Sequence, residues 1–379
     1  MFFGGIDVVS HGLFAALSVL VVACPCAVGL ATPVALAAGL NKAARNHILI
    51  RDTSALEQMR NVDVVVFDKT GTLTEGHPTV IGWLWAQGQE EHYKDVLLAA
   101  ESTSDHPLAE AIVTALEGEE QVIPAHLDGF ENITGKGVRV AYQGAEYWVG
   151  SHKLLKDYQA NLSDILADML TQYESDGNSI VYFGRENDLL AVIAIKDQLR
   201  VTSMEAIREL RIQDIEICML TGDGERTASS VAGSLGIMRF VADAMPDDKE
   251  DFIHKLQLQG KTVAMVGDGV NDAQALSCAD VSIAMGKGTD TLMDTAMITL
   301  RTSDLLLLPK VFRLSRQTVS LMYRNLFWAF IYNTVGIFVA AGVLYPVYDI
   351  LLSPALAGAA MALSCVSVAL SSLRLSSRF

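Results

Sequence analysis

Apolar residues along the chain fall into long uninterrupted runs near its two ends and short runs in its middle. The long runs are residues 13–40, 321–344 and 350–373, each near or above the ~20 residues that cross a bilayer as a helix. Residues between about 41 and 320 have ordinary globular composition. The pattern therefore predicts three transmembrane helices and one large globular part.

Basic residues flank the long runs on the sides that adjoin the globular part. Lys42 and Arg45 follow the first run, Arg313 and Arg316 precede the second, and Arg374 follows the third. Because positive charge favours the cytoplasmic side, we expect the globular part and the C-terminus to face the cytoplasm. The predicted protein is multi-pass and contacts membrane lipid, and a bacterial inner (plasma) membrane is its expected location.

The short apolar runs predict buried strands of a parallel sheet. They lie at 62–67, 215–220 and 262–266, and helical patterns follow the second and third. This βα alternation is typical of a doubly wound α/β fold, whose ligands bind at the carboxyl ends of the strands. Residues 76–191 interrupt the alternation with strand and helix patterns of their own, which indicates an inserted α+β domain. The predicted segments are 1–45, 46–75, 76–191, 192–315 and 316–379.

Composition narrows the function classes. The net charge is −16 with only 28 Lys and Arg, so the basic surface that nucleic acid needs is missing, and we expect no nucleic-acid partner. The five cysteines form no disulfide framework or zinc-finger spacing, which favours reduced thiols.

Acidic and hydroxyl residues follow all three predicted strands. A carboxylate in a tight turn after a buried strand, as Asp68 is, can attack a phosphoryl group and form an aspartyl phosphate. The carboxyl ends of the strands would also gather Thr221, Asp223, Lys249, Asp268 and Asp272. So many carboxylates require a cation, and Mg²⁺ bound by carboxylates and phosphate oxygens provides it. Lys249 would neutralise the phosphoryl oxygens and Thr221 would hydrogen-bond the phosphate.

These motifs resemble a known family. The stretches "DKTGTLTEG", "TGDG" and "MVGDGVNDAQAL" are similar to the haloacid dehalogenase superfamily, and to the P-type ATPases in particular. The resemblance implies a haloacid-dehalogenase-like phosphorylation domain with catalytic Asp68, Lys69, Thr70, Thr221, Gly222, Asp223 and Lys249. It also implies a Mg²⁺ region of Asp68, Thr70, Asp268 and Asp272. Superfamily phosphatases have a second aspartate where this chain has Thr70, so a long-lived phosphoenzyme and a pump are favoured over a phosphatase.

The insertion then corresponds to the nucleotide-binding domain. "ESTSDHPLAEAI" resembles the heavy-metal branch around Glu101, His106 and Pro107. "ITGKGVRV" supplies Gly135 and Gly137, where a missing Cβ would let the backbone approach ATP. Gly150 completes the candidate set, although Ser151 follows it where the family has asparagine.

The first long run carries Cys24-Pro25-Cys26. Pro25 removes a backbone donor and opens the helix, and thiolates select soft ions such as Cu(I). The motif resembles the transport site of heavy-metal pumps, and Tyr332, Asn333, Met361 and Ser364 match the copper(I) exporters as further ligands. Cys365 is either a third soft ligand or a small replacement. Zinc and cadmium pumps carry an acidic ligand in the last span, which is absent between 350 and 373.

Family members have eight spans and an actuator domain with Thr-Gly-Glu, whereas this sequence predicts three spans and contains no such tripeptide. The expectation is an ATP- and Mg²⁺-dependent Cu(I) exporter, with Ag(I) as another possible cargo, that does not cycle alone. A second chain would carry the actuator domain, and a metallochaperone would deliver copper. The alternatives are a Zn(II)/Cd(II) pump, a non-transporting metal-binding or regulatory remnant, and a membrane-tethered phosphatase, which Thr70 disfavours.

Overall fold

The computed structural model describes residues 6–86, 90–104, 106–119, 122–160, 164–268, 272–286, 295–348 and 351–377. The centre of the "GDGVND" motif (269–271), Asp105 of "ESTSDHPLAEAI", and Ile350, where the third predicted span begins, lie outside these residues. The chain divides into two compact units, which comprise residues 1–60 with 310–379 (unit 1) and residues 61–309 (unit 2).

The helices and strands follow the chain in this order. The helices are α1 (Ile6–Val22), α2 (Cys26–Arg45), α3 (Ser54–Met59), α4 (Glu90–Glu101), α5 (Pro107–Glu117), α6 (His152–Asp157), α7 (Asp164–Ser175), α8 (Ser203–Ile212), α9 (Glu225–Leu235), α10 (Pro246–Leu258), α11 (Ala273–Cys278), α12 (Leu307–Ala340), α13 (Tyr345–Tyr348) and α14 (Pro354–Ser377). The strands are β1 (Ile48–Ile50), β2 (Val64–Asp68), β3 (Thr79–Trp85), β4 (Gly129–Ile133), β5 (Gly137–Tyr142), β6 (Ala145–Gly150), β7 (Ser179–Arg185), β8 (Asp188–Lys196), β9 (Glu216–Leu220), β10 (Arg239–Val241), β11 (Val263–Gly267), β12 (Val281–Met285) and β13 (Ile298–Leu300).

Unit 2 contains the doubly wound sheet that the short apolar runs predict. Its parallel strands lie in the order β13-β12-β11-β2-β9-β10. Every residue of β2 and β11 is buried, as expected for strands covered by helices on both faces. Since β2, β9 and β11 are parallel neighbours, their carboxyl ends meet at one edge, here named the catalytic edge.

The insertion is a second sheet within unit 2. Its antiparallel strands run in the order β3-β8-β7-β6-β5-β4, and α4 and α5 pack against one face through an apolar cluster centred on Leu97, Ile112 and Phe183. The sheet extends to Lys196 on β8, beyond the predicted boundary at residue 191, because β8 pairs along its length with β3 and β7.

Unit 1 contains the long apolar helices. The first run is two helices, with α1 ending at Val22 and α2 starting at Cys26, because Pro25 has no N–H to continue the helix. Close packing of α2 and α12 depends on Gly39, where a Cβ would lie 2.6 Å from the Thr318 hydroxyl oxygen. Small residues permit such close approach of membrane helices.

Unit 1 also includes residues 46–60. There, Ser315 on α12 donates a hydrogen bond to the Leu56 carbonyl, and the Arg60 guanidinium lies 5.5 Å from the centre of the Tyr323 ring. The predicted domain boundary at 45/46 stays a prediction. Residues 310–315 also belong to unit 1 because α12 continues through them without a break.

Two segments among the described residues are long and apolar enough to cross a membrane. They are His11–Arg45 and Pro354–Leu375, which agree with the first and third predicted spans. The second predicted span, 321–344, begins inside α12 and extends past the end of this helix at Ala340, and α12 is not one of these two segments. Arg324, Asn325 and Asn333 lower its hydropathy, so this second span stays a prediction.

Trp148 anchors the second core of the inserted sheet. Its side chain is fully buried, its indole N–H donates to the Glu186 carbonyl at 2.9 Å, and its ring stacks on Tyr158. We expect Trp148→Ala to lower the opening free energy of strands β5–β7 by about 3–5 kcal/mol, measured by native-state hydrogen exchange. Ile123→Ala, at a side chain that is 72% exposed, should change it by less than about 0.5 kcal/mol. Equal effects from the two variants would contradict the assigned core.

Candidate active site

Asp68 is the last residue of β2 and lies buried at the catalytic edge. Lys249, in the first turn of α10, donates to the Asp68 carboxylate at 2.6 Å and to that of Asp272 at 2.7 Å. Burial alone would lower the pKa of Lys249, but the two carboxylates outweigh it and raise the pKa above its ordinary value. Lys249 therefore stays charged beside the candidate nucleophile.

Asp268 and Asp272 add negative charge next to Asp68. Burial, followed by repulsion from the Asp68 carboxylate, raises the pKa of each of them to about 7. Asp68, Asp268 and Asp272 can each direct one oxygen to a common point, with these oxygens within 4.8 Å of one another. Hard carboxylate oxygens in this arrangement suit Mg²⁺, so the donor set fits the predicted metal region.

The turn after Asp68 has a conformation that requires glycine. Thr70 is extended, whereas Gly71 has a φ of +71°, and a Cβ on Gly71 would lie 1.4 Å from a carboxylate oxygen of Asp268. The turn thus permits the Asp268 carboxylate to approach the Gly71 backbone closely. Thr70, which was predicted in the Mg²⁺ region, is half-buried beside this contact.

Two residues that the sequence reasoning missed hold this turn. Arg200 is buried and donates to the carbonyls of Thr72, at 2.9 Å, and Gly71. Asp197 accepts from the Thr74 hydroxyl and from the Gly76 N–H, at 3.1 Å. Both residues belong to the stretch "KDQLR" at the end of β8. An aspartate and an arginine just beyond a buried strand are the sequence feature that could have identified them.

Lys69 pairs with a carboxylate other than the two that Lys249 contacts. Its ammonium group forms an ion pair with Asp223 and donates to the Ser179 hydroxyl at 3.0 Å, and that hydroxyl donates to Asp223 at 2.8 Å. Burial alone would raise the pKa of Asp223, but Lys69, with hydrogen bonds from Ser179 and Thr221, holds it below its ordinary value. Gly222 lies between Thr221 and Asp223 in the same loop. Ser179 begins β7 of the inserted sheet and was not predicted.

The candidate nucleotide residues Glu101, His106 and Pro107 lie at the ends of α4 and α5. Glu101 is buried, and desolvation raises its pKa to about 8. His106 caps α5 by accepting from the Leu108 N–H at 3.2 Å, and Pro107 occupies the first helical position. Although His106 keeps solvent access, desolvation by nearby protein lowers its pKa, and it interacts electrostatically with Asp223 and Asp68. The structure therefore brings His106 near the catalytic edge.

The candidate glycines have a structural reason that differs from the predicted one. A Cβ on Gly137 would lie 2.1 Å from the Val149 carbonyl oxygen, and a Cβ on Gly150 would lie 2.1 Å from that of Lys136. Neighbouring backbone occupies the space where each Cβ would lie, so strand packing itself requires glycine at these two positions. The predicted approach of ATP to Gly135 and Gly137 stays a prediction. At Gly135 a Cβ would contact the Met245 sulfur, 2.6 Å away.

Unit 1 contains the candidate ligands for a transported ion. Cys24 and Cys26 lie on either side of Pro25 at the helix break, and their side chains are exposed. Cys365 on α14 packs against the apolar cluster of Ala27, Ala31, Ala329 and Val368. Cys365 therefore packs beside the first turn of α2, which begins at Cys26.

The predicted polar ligands fall into two groups. The Asn333 side-chain oxygen and the Ser364 hydroxyl are buried, and neither has a hydrogen-bond partner among the described residues. Such groups are rare without a function, because an unpaired buried polar atom is costly. Tyr332 is half-exposed with its ring 5.9 Å from that of Trp328, and Met361 is half-buried.

Comparison with known proteins identifies the family. Residues 62–280 match the family model of haloacid dehalogenase-like hydrolases. The chain belongs to this family. It is also 44% identical to a copper-exporting P-type ATPase of Legionella pneumophila and 45% identical to a silver-exporting P-type ATPase of Salmonella typhimurium, in both cases over 97% of its length. It spans 50% and 44% of those proteins.

Solved structures agree with these relatives. A zinc-transporting PIB-type ATPase in its E2.Pi state is 34% identical, with a TM-score of 0.65 over 93% of this chain and 56% of the other. The catalytic domain of the CPx-ATPase CopB-B is 28% identical, with a TM-score of 0.60 over 72% of this chain and 97% of that domain. The predicted resemblance to heavy-metal P-type ATPases and the predicted fold class are confirmed.

The raised pKa of Glu101 predicts a pH-dependent stability. Between its ordinary pKa of 4.5 and its folded pKa of about 8, the folded state retains a proton that the unfolded state releases, so stability falls as pH rises through this window. We expect Glu101→Gln to remove a loss of up to about 1.4 kcal/mol per pH unit. Unfolding of unit 2 at several pH values measures it, with the exposed Glu110→Gln as control. An unchanged pH slope in Glu101→Gln would refute the assignment.

Proposed function

We propose that this chain drives export of a soft monovalent metal ion, Cu(I), across a membrane with energy from ATP, through an aspartyl phosphate on Asp68. The observation that carries the proposal is the buried Asp68 carboxylate held by Lys249 at 2.6 Å, at the end of a strand where parallel α/β folds bind ligands. The names of the copper- and silver-exporting relatives support the direction and the cargo.

The proposed reaction is an in-line transfer of the γ-phosphoryl group. An Asp68 oxygen forms a bond to the γ-phosphorus while the bond to the β,γ-bridging oxygen breaks, and ADP leaves with that electron pair. Lys249 would stabilise the charge that develops on the equatorial oxygens. Thr70 offers no carboxylate to activate water, which supports a persistent phosphoenzyme.

The residues that would bind the cation are Asp68 and Asp268, and Asp272 is the third carboxylate of the group. Mg²⁺ held there would neutralise charge shared by the phosphate and the carboxylates. Lys249 donates hydrogen bonds to Asp272 and to Asp68, whereas Asp268 lies against the turn at Gly71.

The inserted domain would bind ATP through Glu101, His106 and Pro107, with Gly135 at its edge. Glu101, protonated at neutral pH because of its raised pKa, can donate a hydrogen bond as well as accept one. His106, neutral because its pKa is lowered, adds no positive charge beside Lys69.

The proposed cargo follows from the ligands in unit 1. Thiols at a helix break suit a soft ion, and the unpaired oxygens on Asn333 and Ser364 lie in the same unit. Zn²⁺ is a second candidate because a zinc-transporting ATPase is a structural relative, but residues 351–377 contain no carboxylate. Delivery by a metallochaperone and a bacterial inner membrane are further parts of the proposal.

Phosphorylation tests the catalytic part. We expect the purified chain in detergent with γ-labelled ATP and Mg²⁺ to form an acid-stable phosphoenzyme, and Asp68→Asn to abolish it. Asp176→Asn, at an exposed carboxylate in the same unit, should retain the label. Label that persists in Asp68→Asn, or its absence in both the parent chain and the control, would contradict the proposal.

Ion binding tests the cargo separately. We expect Cys24→Ser or Cys26→Ser to weaken Ag(I) binding, measured by competition with a chromophoric chelator, by more than about tenfold. Cys365→Ser should weaken it less if the pair dominates, whereas Ser353→Ala, at the exposed start of α14, should leave it unchanged. Zn²⁺ binding that exceeds Ag(I) binding at these thiols would overturn the Cu(I) assignment without affecting the phosphorylation result.

A further inference from the structure

A second group of metal-ligating side chains lies on the surface of unit 2. Glu250 and His254 are one helical turn apart on α10, and Cys278 ends α11. A carboxylate oxygen, a ring nitrogen and the thiol sulfur of these residues lie within 4.8 Å of one another. The cluster is separate from the one formed by Asp68, Asp268 and Asp272, which is the other such cluster among the described residues.

The ring of His254 is oriented for coordination. Its Nδ1 lies 3.1 Å from the side-chain oxygen of Gln257, and the Gln257 amide donates to the Cys278 carbonyl at 2.9 Å. When Nδ1 donates its proton to that oxygen, the lone pair is on Nε2, which faces the Glu250 carboxylate at 3.5 Å. A metal-bound histidine has this arrangement, with its second nitrogen donating to an oxygen.

We propose that Glu250, His254 and Cys278 form a binding site for a borderline divalent cation, Zn²⁺, with water as the fourth ligand. A tetrahedral Zn²⁺ separates its ligand atoms by about 3.3–3.6 Å, which is close to the observed 3.5 Å between His254 and Glu250. One thiolate, one imidazole and one carboxylate suit Zn²⁺ better than Cu(I), which prefers an all-soft set. The side chains of His254 and Glu250 are 51% and 36% exposed, so an ion and a water can reach them.

The position of this site gives it a consequence for the catalytic edge. Glu250 directly follows Lys249 on α10, and α11 begins directly after Asp272. An ion bound by His254 and Cys278 would link α10 to α11, as the Lys249–Asp272 ion pair does where α11 begins. The bound ion would thereby restrain the counter-ion of Asp68. The site itself does not depend on the proposed function.

Cobalt(II) is a suitable spectroscopic substitute for Zn²⁺ because thiolate ligation gives a charge-transfer absorption band. The full chain in detergent carries Cys24→Ser, Cys26→Ser and Cys365→Ser, so that the three thiols of unit 1 do not contribute, and is titrated with Co²⁺. We expect a thiolate band that Zn²⁺ removes by competition. Cys278→Ser should abolish the band, and His254→Gln should weaken Co²⁺ binding by more than about tenfold.

Two further variants separate coordination from structural effects. Gln257→Ala should weaken Co²⁺ binding by about tenfold while it keeps the thiolate band, since Gln257 positions His254 and is not a ligand. His126→Gln, at an exposed histidine of the inserted domain, should change neither quantity. Hydrogen exchange at 246–258 and 273–278 should slow when Zn²⁺ is added to the background chain and stay unchanged in Cys278→Ser. A band that survives Cys278→Ser, or no band at all, would overturn the site. The phosphorylation result for Asp68→Asn tests the proposed function and does not test this site.

Discussion

The shared ammonium group of Lys249 is the interaction on which the catalytic edge depends. It lies 2.6 Å from Asp68 and 2.7 Å from Asp272, in a buried place where unpaired carboxylates would repel one another and lose hydration. Without this cation, the carboxylates of Asp68 and Asp272 would both be buried at this edge with no counter-charge from Lys249. Burial, followed by repulsion from Asp68, raises the pKa of both Asp268 and Asp272, and a divalent cation bound by these carboxylates would relieve that repulsion.

The second constraint is the turn between Asp68 and Thr74. Gly71 adopts a positive φ so that Asp268 can approach, and Arg200 and Asp197 bind the turn from the strand that closes the inserted domain. Ser179, at the start of β7, joins the Lys69–Asp223 ion pair. The inserted sheet therefore contacts the catalytic edge at one end, where β7 starts and the antiparallel β8 stops, which links the geometry of the inserted domain to the position of Lys69.

The helices of unit 1 are held together by different interactions. Helices α2, α12 and α14 pack through alanines around Ala27, Ala31 and Ala329, since lipid provides no hydrophobic drive for large apolar contacts between helices. Polar groups in such an environment are expected to pair, as Asn325 does with Ser372 at 3.0 Å. The unpaired oxygens of Asn333 and Ser364 depart from this rule, as do those of Gln58 and Thr318 in the same unit; the first two are the ones proposed as ion ligands.

The sequence by itself determined the strand that ends in Asp68, the strand that precedes Thr221, the helix break at Pro25 and the family, because apolar periodicity and short dense motifs are local properties. It could not show which lysine serves which aspartate: Lys69 is adjacent to Asp68 in sequence but pairs with Asp223, while Lys249 reaches Asp68 across 181 positions. It also could not show Arg200, Ser179 or the meeting of His254 with Cys278. These contacts join residues from separate elements, so only the packing of the sheets and helices in three dimensions decided them.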